Sequence, residues 1–259
     1  MSDNSVMDRN ERALEAASDI LRNARSVLFI TGAGISADSG LPTYRGIGGL
    51  YDEIDTPEGI PIEDALSGEM LRRNPGLTWK YIHQIESSCR GASFNRAHAV
   101  LAEAEGRFER VLVLTQNVDG LHRRAGSRNV IDIHGDVHDL LCTACDYRTT
   151  VSDYAALDPL PRCPECGSVV RPDVVLFGEL LPVAKVRELE QELRAGFDAV
   201  FSIGTTSAFP YIARPVLEAR LLGRPTIEIN PGETFVSEAV SLKISLRAAE
   251  ACDALWRRL

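Results

Sequence analysis

Short apolar segments alternate with helical patterns along most of this chain of 259 residues. Strands that alternate with amphipathic helices are typical of a mostly parallel sheet, because helices then cover both of its apolar faces. The sequence therefore predicts an α/β fold built on a Rossmann-like parallel sheet domain. The predicted strands are 26–34, 110–117, 129–135, 199–206 and 225–230, and the predicted helices are 9–25, 96–105, 183–195 and 210–222.

Small or polar residues stand at the end of each predicted strand. In open α/β sheets the ligand crevice lies outside the carboxyl ends of the strands, where neighbouring strand ends meet. One such end is weak evidence, but five of them at one edge predict a single binding site. The residues at these ends are Gly32, Gly34, Gln116, Asn117, His134, Gly204, Thr205 and Asn230.

Two Cys-x-x-Cys pairs lie close together, with 17 residues between Cys145 and Cys163. No basic segment followed by an apolar run opens the chain, so we expect a cytoplasmic location, where structural disulfides are rare. The spacing is typical of a zinc site with four thiolate ligands, here Cys142, Cys145, Cys163 and Cys166. Because protein ligands would fill all four positions, we predict a structural zinc. Unligated reduced thiols are the alternative.

Two stretches interrupt the alternation of strands and helices. Residues 46–95 contain glycines, prolines and helical fragments, and residues 136–175 contain the four cysteines. We predict that both are insertions, one helical and one a zinc ribbon, which together form a smaller module. The sheet domain would then comprise 1–45, 96–135 and 176–259, with the substrate cleft between the two modules.

The composition limits the possible partners. A net charge of −9 and an aromatic content of 6% disfavour a surface for nucleic acid. The longest apolar runs, such as VLVL, are far too short to cross a bilayer. We therefore expect neither direct nucleic-acid binding nor membrane association.

A glycine turn follows the first predicted strand. The segment GAGISA (32–37) fits the dinucleotide-binding pattern, in which glycines allow a tight turn and a close approach to a pyrophosphate. A tight turn without a ligand is the alternative. The next residues, DSGLPTYRGIGGLY, break any regular element and disfavour an ordinary hydride-transferring dehydrogenase. We expect a mobile loop there, with Tyr44 and Arg45 as its functional side chains.

Several motifs taken together resemble sirtuins, from about residue 10 to the end of the chain. In order they are GAGISADSGLPTYRG, TQNVDGLHRRAG, IHG, the two Cys-x-x-Cys pairs, RPDVVLFGE, GTTS and EIN. The resemblance implies an NAD-dependent protein lysine deacetylase that consumes NAD as a co-substrate. Its partners would be proteins or peptides that carry acyl-lysine.

The resemblance also assigns residues to roles. It makes His134 the general base and Asn117 a second catalytic residue. The peptide substrate would pair with Val174, Val175, Leu176, Phe177 and Gly178 by strand addition. The implied NAD-binding residues are Gly32, Ala33, Gly34, Ile35, Ser36, Asp38, Pro42, Tyr44, Arg45, Gln116, Asn117, Val118, Asp119, Gly204, Thr205, Thr206, Ser207, Asn230, Pro231, Gly232 and Ala248.

The implied reaction begins when the bond between nicotinamide and ribose breaks and leaves an oxocarbenium-like carbon. A neutral amide oxygen is a poor nucleophile, but it can capture that carbon when it is held against it. By resemblance this capture yields an alkylimidate. His134 then accepts a ribose hydroxyl proton, and the 2′-oxygen attacks to give 2′-O-acetyl-ADP-ribose.

Simpler interpretations stand beside these roles. His134 could only bond a neighbouring carbonyl, and Asn117 and Asp119 could only cap the helix that follows them. His98 and His122, like His138, lack support from the motifs and are predicted to be structural. A protein ADP-ribosyltransferase, a non-catalytic zinc-ribbon protein and an oxidoreductase are the rival functions.

The expected acyl preference follows from one difference between this chain and some sirtuins. Sirtuins that remove succinyl or malonyl groups carry a Tyr-x-x-Arg pair, whereas this chain has Tyr81 followed by Gln84. Without arginine a buried acyl carboxylate lacks a bidentate partner, so we expect acetyl or another neutral acyl group. Arg72 or Arg73 could reach the site instead.

Overall fold

The computed structural model describes residues 3–42 and 56–259. Tyr44 and Arg45 lie outside these ranges, so their expected roles are not addressed by it. Among the described residues, none of the helices combines the length and apolarity needed to cross a bilayer.

Within residues 3–42 and 56–259, the larger of two sheets has six strands, all parallel. The α/β fold predicted from the sequence is confirmed. A sixth strand was missed, because it has three residues and no long apolar run. In spatial order the strands are β3 (Val130–Asp132), β2 (Arg110–Thr115), β1 (Ser26–Thr31), β7 (Ala199–Ile203), β8 (Thr226–Ile229) and β9 (Leu242–Ile244).

Alternate side chains of the central strands enter two separate apolar layers. Val27 and Phe29 of β1 pack on one face, and Leu28 and Ile30 pack on the other. Such alternation follows from the period of two in a strand, and both layers are apolar because helices cover both faces. The first face is covered by α1 (Asp3–Asn23), α6 (Arg96–Ala104) and α10 (Ala248–Trp256), and the second by α8 (Val183–Ala195) and α9 (Pro210–Leu221).

A smaller unit combines a three-stranded antiparallel sheet with three helices. Trp79 is fully buried there, and its indole N–H donates to the carbonyl of Val170 at 2.9 Å. One apolar cluster therefore joins the helical stretch to the cysteine-bearing stretch. Its elements are α3 (Ile62–Ala65), α4 (Gly68–Arg73), α5 (Pro75–Cys89), β4 (Gly135–Cys142), β5 (Arg148–Thr150) and β6 (Val170–Val174).

The domain boundaries proposed from the sequence stay predictions. The apolar cluster of the smaller unit includes Leu176, which the predicted division assigns to the larger domain. Two short helices, α2 (Ala33–Ser36) and α7 (Leu121–Arg124), stand just beyond the ends of β1 and β2.

Candidate active site

The carboxyl ends of the parallel strands share one edge of the large sheet. Thr31, the last residue of β1, is in register with Thr115 of β2 and Ile203 of β7. Ile203 is in turn level with Ile229 of β8. The predicted site residues that follow these positions are thereby brought to a common edge, as the strand-end argument expected.

The glycine turns after β1 and β7 touch through their backbones. The amide of Gly34 donates to the carbonyl of Gly204 at 2.8 Å. A Cβ on Gly34 would lie 2.7 Å from Gly204 atoms, and one on Gly204 would lie 2.4 Å from the nitrogen of Ile35. Glycine at these positions therefore serves the contact between two turns, in addition to any approach of a phosphate.

The segment after β2 is tied to both turns. The Gln116 side-chain amide donates to the hydroxyl of Thr205 at 2.8 Å. Asn117 donates to the carbonyl of Gly32 at 3.1 Å and to the hydroxyl of Ser36 at 3.2 Å. The side-chain oxygen of Asn117 is buried without a partner among the described residues. A buried acceptor without a donor is costly, so this atom is suited to a ligand's N–H or O–H group.

Asp119 is hydrogen-bonded to two neighbouring segments through its two carboxylate oxygens. One carboxylate oxygen accepts the amide of Leu121, the first residue of α7, at 2.9 Å, and the other accepts the hydroxyl of Ser36 at 2.7 Å. Burial raises the pKa of Asp119, while these two hydrogen bonds oppose the rise. The carboxylate therefore ties the start of α7 to the turn after β1, while its predicted contact with NAD stays a prediction.

His134 is held by both ring nitrogens. Its Nδ1 lies 3.0 Å from the carbonyl oxygen of Gln116, and its Nε2 lies 2.7 Å from the hydroxyl of Tyr211. A carbonyl can only accept, so Nδ1 carries the proton and Nε2 presents the lone pair. Burial lowers the pKa of His134, which keeps the imidazole neutral near pH 7.

The turn after β7 contains the one non-glycine residue of the described chain with a positive φ, Ser207 at 52°. Ser207 and Thr205 are buried, whereas Thr206 between them is exposed. The Thr205 hydroxyl accepts the amide of Ser207 at 3.1 Å, and the Thr205 carbonyl accepts Asn230 Nδ2 at 3.2 Å. Backbone strain of this kind is common at ligand sites.

The remaining predicted NAD residues differ in burial and in their contacts. Asp38 uses its carboxylate within the protein, on Arg247 at 2.7 Å and on the amide of Ala249 at 3.0 Å. Ala248 is buried in an apolar layer at the start of α10. The other positions are partly buried at Ala33, Pro42 and Val118, buried at Ile35, and exposed at Pro231 and Gly232.

The predicted substrate segment continues β6 out of the smaller sheet. The amide of Val175 donates to the carbonyl of His134 at 2.8 Å, so this segment lies beside the histidine. Phe177 pairs through its amide and carbonyl with Leu66 and Gly68. Phe177 is 37% exposed, whereas Leu176 is buried. The other members of the segment are Val174, the last residue of β6, and Gly178, with a φ of 78°.

An ion pair fixes the shape of that segment. The Arg171 guanidinium bonds both carboxylate oxygens of Glu179, at 2.6 and 2.9 Å, and also the carbonyl of Val174 at 2.6 Å. Glu179 in turn accepts the amide of Leu176 at 2.9 Å. This bidentate contact was not foreseen, although both residues lie within the RPDVVLFGE motif.

The four predicted metal ligands converge. Their sulfur atoms all lie within 4.8 Å of one another. The closest pairs are Cys142 with Cys166 at 3.4 Å and Cys145 with Cys163 at 3.5 Å. These separations exceed the disulfide bond of about 2.05 Å. They are near the roughly 3.8 Å edge of a zinc–thiolate tetrahedron with bonds of about 2.3 Å. The cysteines are positioned to hold a zinc ion.

His98 and His122, both predicted to be structural, are buried near the site. Their rings lie 4.8 Å apart, and His122 Nε2 is 2.9 Å from the hydroxyl of Thr31. His98 Nε2 lies 3.4 Å from the hydroxyl of Ser36. Burial lowers the pKa of His98 to about 4, so it is neutral under ordinary conditions.

The protein has a Rossmann-like fold, because its parallel sheet carries joined glycine turns at the carboxyl edge. Its smaller unit has four cysteines positioned to hold a zinc ion. The model of the Sir2 family matches residues 32–209. The chain therefore belongs to the Sir2 family, and the resemblance to sirtuins is confirmed.

Similar proteins agree with this assignment. "NAD-dependent protein deacylase 2" of Pseudomonas aeruginosa is 48% identical over 240 residues, covering 92% of this chain and 93% of the relative. A solved Sir2 homologue–NAD complex has a TM-score of 0.84 and 34% identity, covering 94% of this chain and 92% of that one. A Sir2 complex with a deacetylated p53 peptide and 3′-O-acetyl ADP ribose has a TM-score of 0.82 and 29% identity, covering 94% of this chain and 97% of that one.

Tyr211 is another residue at this site that the sequence did not suggest. It lies at the start of α9, beyond the GTTS motif, and no spacing in the sequence relates it to His134. An aromatic residue in the first turn after a strand-end motif is the signal that could have drawn attention to it.

Proposed function

We propose that this chain is an NAD-dependent protein lysine deacylase. It transfers the acyl group of an acyl-lysine side chain to the ribose of NAD and releases nicotinamide. The observation that carries the proposal is the meeting of the two glycine turns, the 116–119 segment and His134 at one sheet edge, in a chain of the Sir2 family. Relatives solved with NAD and with a deacetylated peptide support NAD as co-substrate and proteins as acyl donors.

The joined turns are the proposed binding surface for NAD. We assign the turn at 204–207 and the segment 230–232 to the adenosine and phosphate end. The segment 116–119 takes the nicotinamide end. The partnerless oxygen of Asn117 supports this assignment, because a carboxamide or a ribose hydroxyl offers the donor that it lacks.

His134 acts as the general base in this proposal. Its neutral state and its Nδ1–H tautomer leave Nε2 able to accept a proton from a ribose hydroxyl. The ribose oxygen can then attack the acyl carbon, whose oxygen is by then bonded to the sugar. Because Val175 is bonded to the backbone of His134, a peptide added along 174–178 would run beside the base.

The proposed acyl preference is for acetyl or another neutral group. The Tyr81 hydroxyl donates to the carboxylate of Glu58, which Lys80 also contacts. Hydrogen bonds from Lys80 and Tyr81 lower the pKa of Glu58 to about 2, so it carries a negative charge. The ammonium of Lys80 is paired with this carboxylate, so neither charge is free to serve as the partner of an acyl carboxylate. Gln84 is exposed and uncharged, so it supplies no bidentate partner either.

The alternative arginines do not support binding of an acidic acyl group. Arg72 and Arg73 at the end of α4 are both exposed, and Arg73 lies 4.0 Å from Glu69. Neither observation places a guanidinium beside Tyr81. A succinyl or malonyl group would therefore lack a bidentate partner.

The zinc is proposed to be structural, since Cys142, Cys145, Cys163 and Cys166 would complete a tetrahedron without an open position. Cysteines that bind metal must stay reduced, which supports the cytoplasm as the proposed location.

The deciding experiment incubates the protein with NAD and an acetyl-lysine peptide and follows both by mass spectrometry. We expect the peptide to lose its acetyl group and O-acetyl-ADP-ribose to appear. His134→Ala should abolish this product. Gain of an ADP-ribosyl group by the peptide would instead identify an ADP-ribosyltransferase and refute the proposal.

The acyl preference is tested by comparing kcat/KM for acetyl- and succinyl-lysine peptides. We expect the acetyl peptide to be faster by at least tenfold, about the effect of one unmet charge-assisted hydrogen bond. Glu58→Gln should narrow the difference, because it leaves the Lys80 ammonium beside Tyr81 without its carboxylate partner. Faster removal of succinyl by the wild-type protein would contradict the assignment.

A further inference from the structure

The lone pair of the proposed base is already occupied in this structure. Nε2 of His134 lies 2.7 Å from the hydroxyl of Tyr211, and the Nδ1 proton is directed to Gln116. The phenol must be the donor in this contact, because Nε2 has no proton in that tautomer. Burial raises the pKa of Tyr211 to about 12, so the phenol keeps its proton at ordinary pH.

Tyr211 is also fixed in place. Its ring stacks on Phe209 with centroids 5.5 Å apart and an interplanar angle of 15°. The backbone around it begins α9, where Ile212 and Ala213 both donate to the carbonyl of Phe209 at 3.0 Å. The ring further packs against the apolar layer beneath α9. Moving the hydroxyl away from His134 would disturb these contacts, so we expect it to stay during the reaction.

A ribose hydroxyl and the phenol cannot both donate to one lone pair. A phenol oxygen, however, accepts a hydrogen bond while it donates one. We propose that Tyr211 relays the ribose proton to His134, with the ribose hydroxyl donating to the phenol oxygen and the phenol hydroxyl donating to Nε2. This inference rests on the proposed deacylase function and adds a catalytic residue to it.

The relay balances without an outside reagent. The ribose O–H bond breaks as a new O–H bond forms on Tyr211, and the original phenol O–H bond breaks as an N–H bond forms on His134. The electron pair left on the ribose oxygen forms the bond to the acyl carbon. Tyr211 ends as a neutral phenol, and His134 ends as imidazolium.

The relay acts only in the second stage of the reaction, after nicotinamide has left. The two stages can be measured separately with an acetyl-lysine peptide. Entry of labelled nicotinamide into NAD reports reversal of the first stage, and formation of O-acetyl-ADP-ribose reports the second. Substituting a residue that assists the general base should therefore slow formation of O-acetyl-ADP-ribose and leave nicotinamide exchange unchanged.

The test variant is Tyr211→Phe, which keeps the ring on Phe209 and removes the hydroxyl. General acid–base groups contribute about 100-fold or more, so we expect product formation to fall at least tenfold, with water as a poor substitute. Nicotinamide exchange should stay within about twofold of wild type, because the relay serves only the later proton transfer. A smaller fall in product formation, or a parallel loss of exchange, overturns the relay.

Two controls separate the possible failures. Tyr154→Phe likewise deletes one phenol hydroxyl, here a buried one that bonds the carbonyl of Val137 in the smaller unit, and should leave both readouts unchanged. If wild type itself forms no O-acetyl-ADP-ribose, the deacylase proposal fails. If wild type is active and Tyr211→Phe matches it, only the relay fails.

A second measurement needs no variant. In single-turnover reactions of wild type in mixtures of light and heavy water, the rate of product formation is plotted against the deuterium fraction. Two protons moving together give a bowed plot, which supports the relay. A straight line means that one proton moves, and it overturns the relay even if Tyr211→Phe does not fold.

Discussion

The contact between the two glycine turns can be tested by adding a single methyl group. In Gly34→Ala the new Cβ would lie 2.7 Å from the Cα and the carbonyl oxygen of Gly204. Gly34 cannot simply move away, because its amide donates to that same oxygen at 2.8 Å. The two turns must separate by several tenths of an ångström, since carbon atoms pack best at about 3.5–4.0 Å.

The expected cost follows from these two effects. Overpacking costs about 1–3 kcal/mol, and loss of the hydrogen bond adds about 1 kcal/mol. At about 2–4 °C per kcal/mol for a chain of this size, the melting temperature should fall by roughly 4–16 °C. The KM for NAD should rise by about tenfold or more, because both turns belong to the proposed site.

The matched control is Gly76→Ala. Gly76 lies in the first turn of α5, and a Cβ there would meet only the Asn74 side-chain oxygen, at 3.8 Å. The same substitution should therefore stabilise the protein by about 0.4–1 kcal/mol through the unfolded state and leave the KM for NAD unchanged. Thermal unfolding and steady-state kinetics of the two variants decide the matter. A Gly34→Ala protein with wild-type melting temperature and KM would refute the reasoning.

Three further predictions concern acid stability, the metal and the substrate segment. Burial lowers the pKa of His98 to about 4. The neutral side chain therefore adds to the free energy of unfolding in full above about pH 6.5, and this stabilisation is lost as the pH falls to about 4. Between pH 7 and 4.5, the free energy of unfolding measured in urea should fall by about 2–3 kcal/mol less in His98→Asn than in wild type. Equal falls in the two proteins would mean that His98 is not the source of the acid sensitivity. Zinc removal or Cys163→Ser should speed amide exchange in β4 far more than in β1, and unchanged protection in β4 would argue against a structural metal. Arg171→Met should raise the KM for peptide by about tenfold and spare the KM for NAD, because Glu179 loses its bidentate partner, and an unaltered peptide KM would count against this role.

The overall architecture could be predicted because its determinants are local in the chain. Each central strand is a short apolar run, and each run ends in small or polar residues, so both the strand and the position of its end are visible in a few consecutive letters. The four cysteines follow the same logic, since two tight turns with fixed spacing suffice to bring four sulfur atoms together. β9 was missed because it has only three residues, and one buried residue, Ile244, is too little to show a periodic pattern.

The detailed chemistry of the site could not be predicted, because it depends on contacts between distant segments. Nothing near His134 in the sequence indicates that Tyr211, 77 positions later, meets its Nε2. Nothing near Tyr81 indicates that Glu58 bonds its hydroxyl. Such pairs form only after the sheet and the smaller unit have packed.

The sequence by itself determined which residues stand at the sheet edge and that four thiolates can share a metal, since both follow from the order and spacing of residues along the chain. Only the tertiary structure decided how the two glycine turns touch, which nitrogen of His134 carries the proton, and which residue bonds the other nitrogen. Those features depend on distances of about 3 Å between segments far apart in sequence, and hydrogen bonds at that distance are set by packing and not by periodicity.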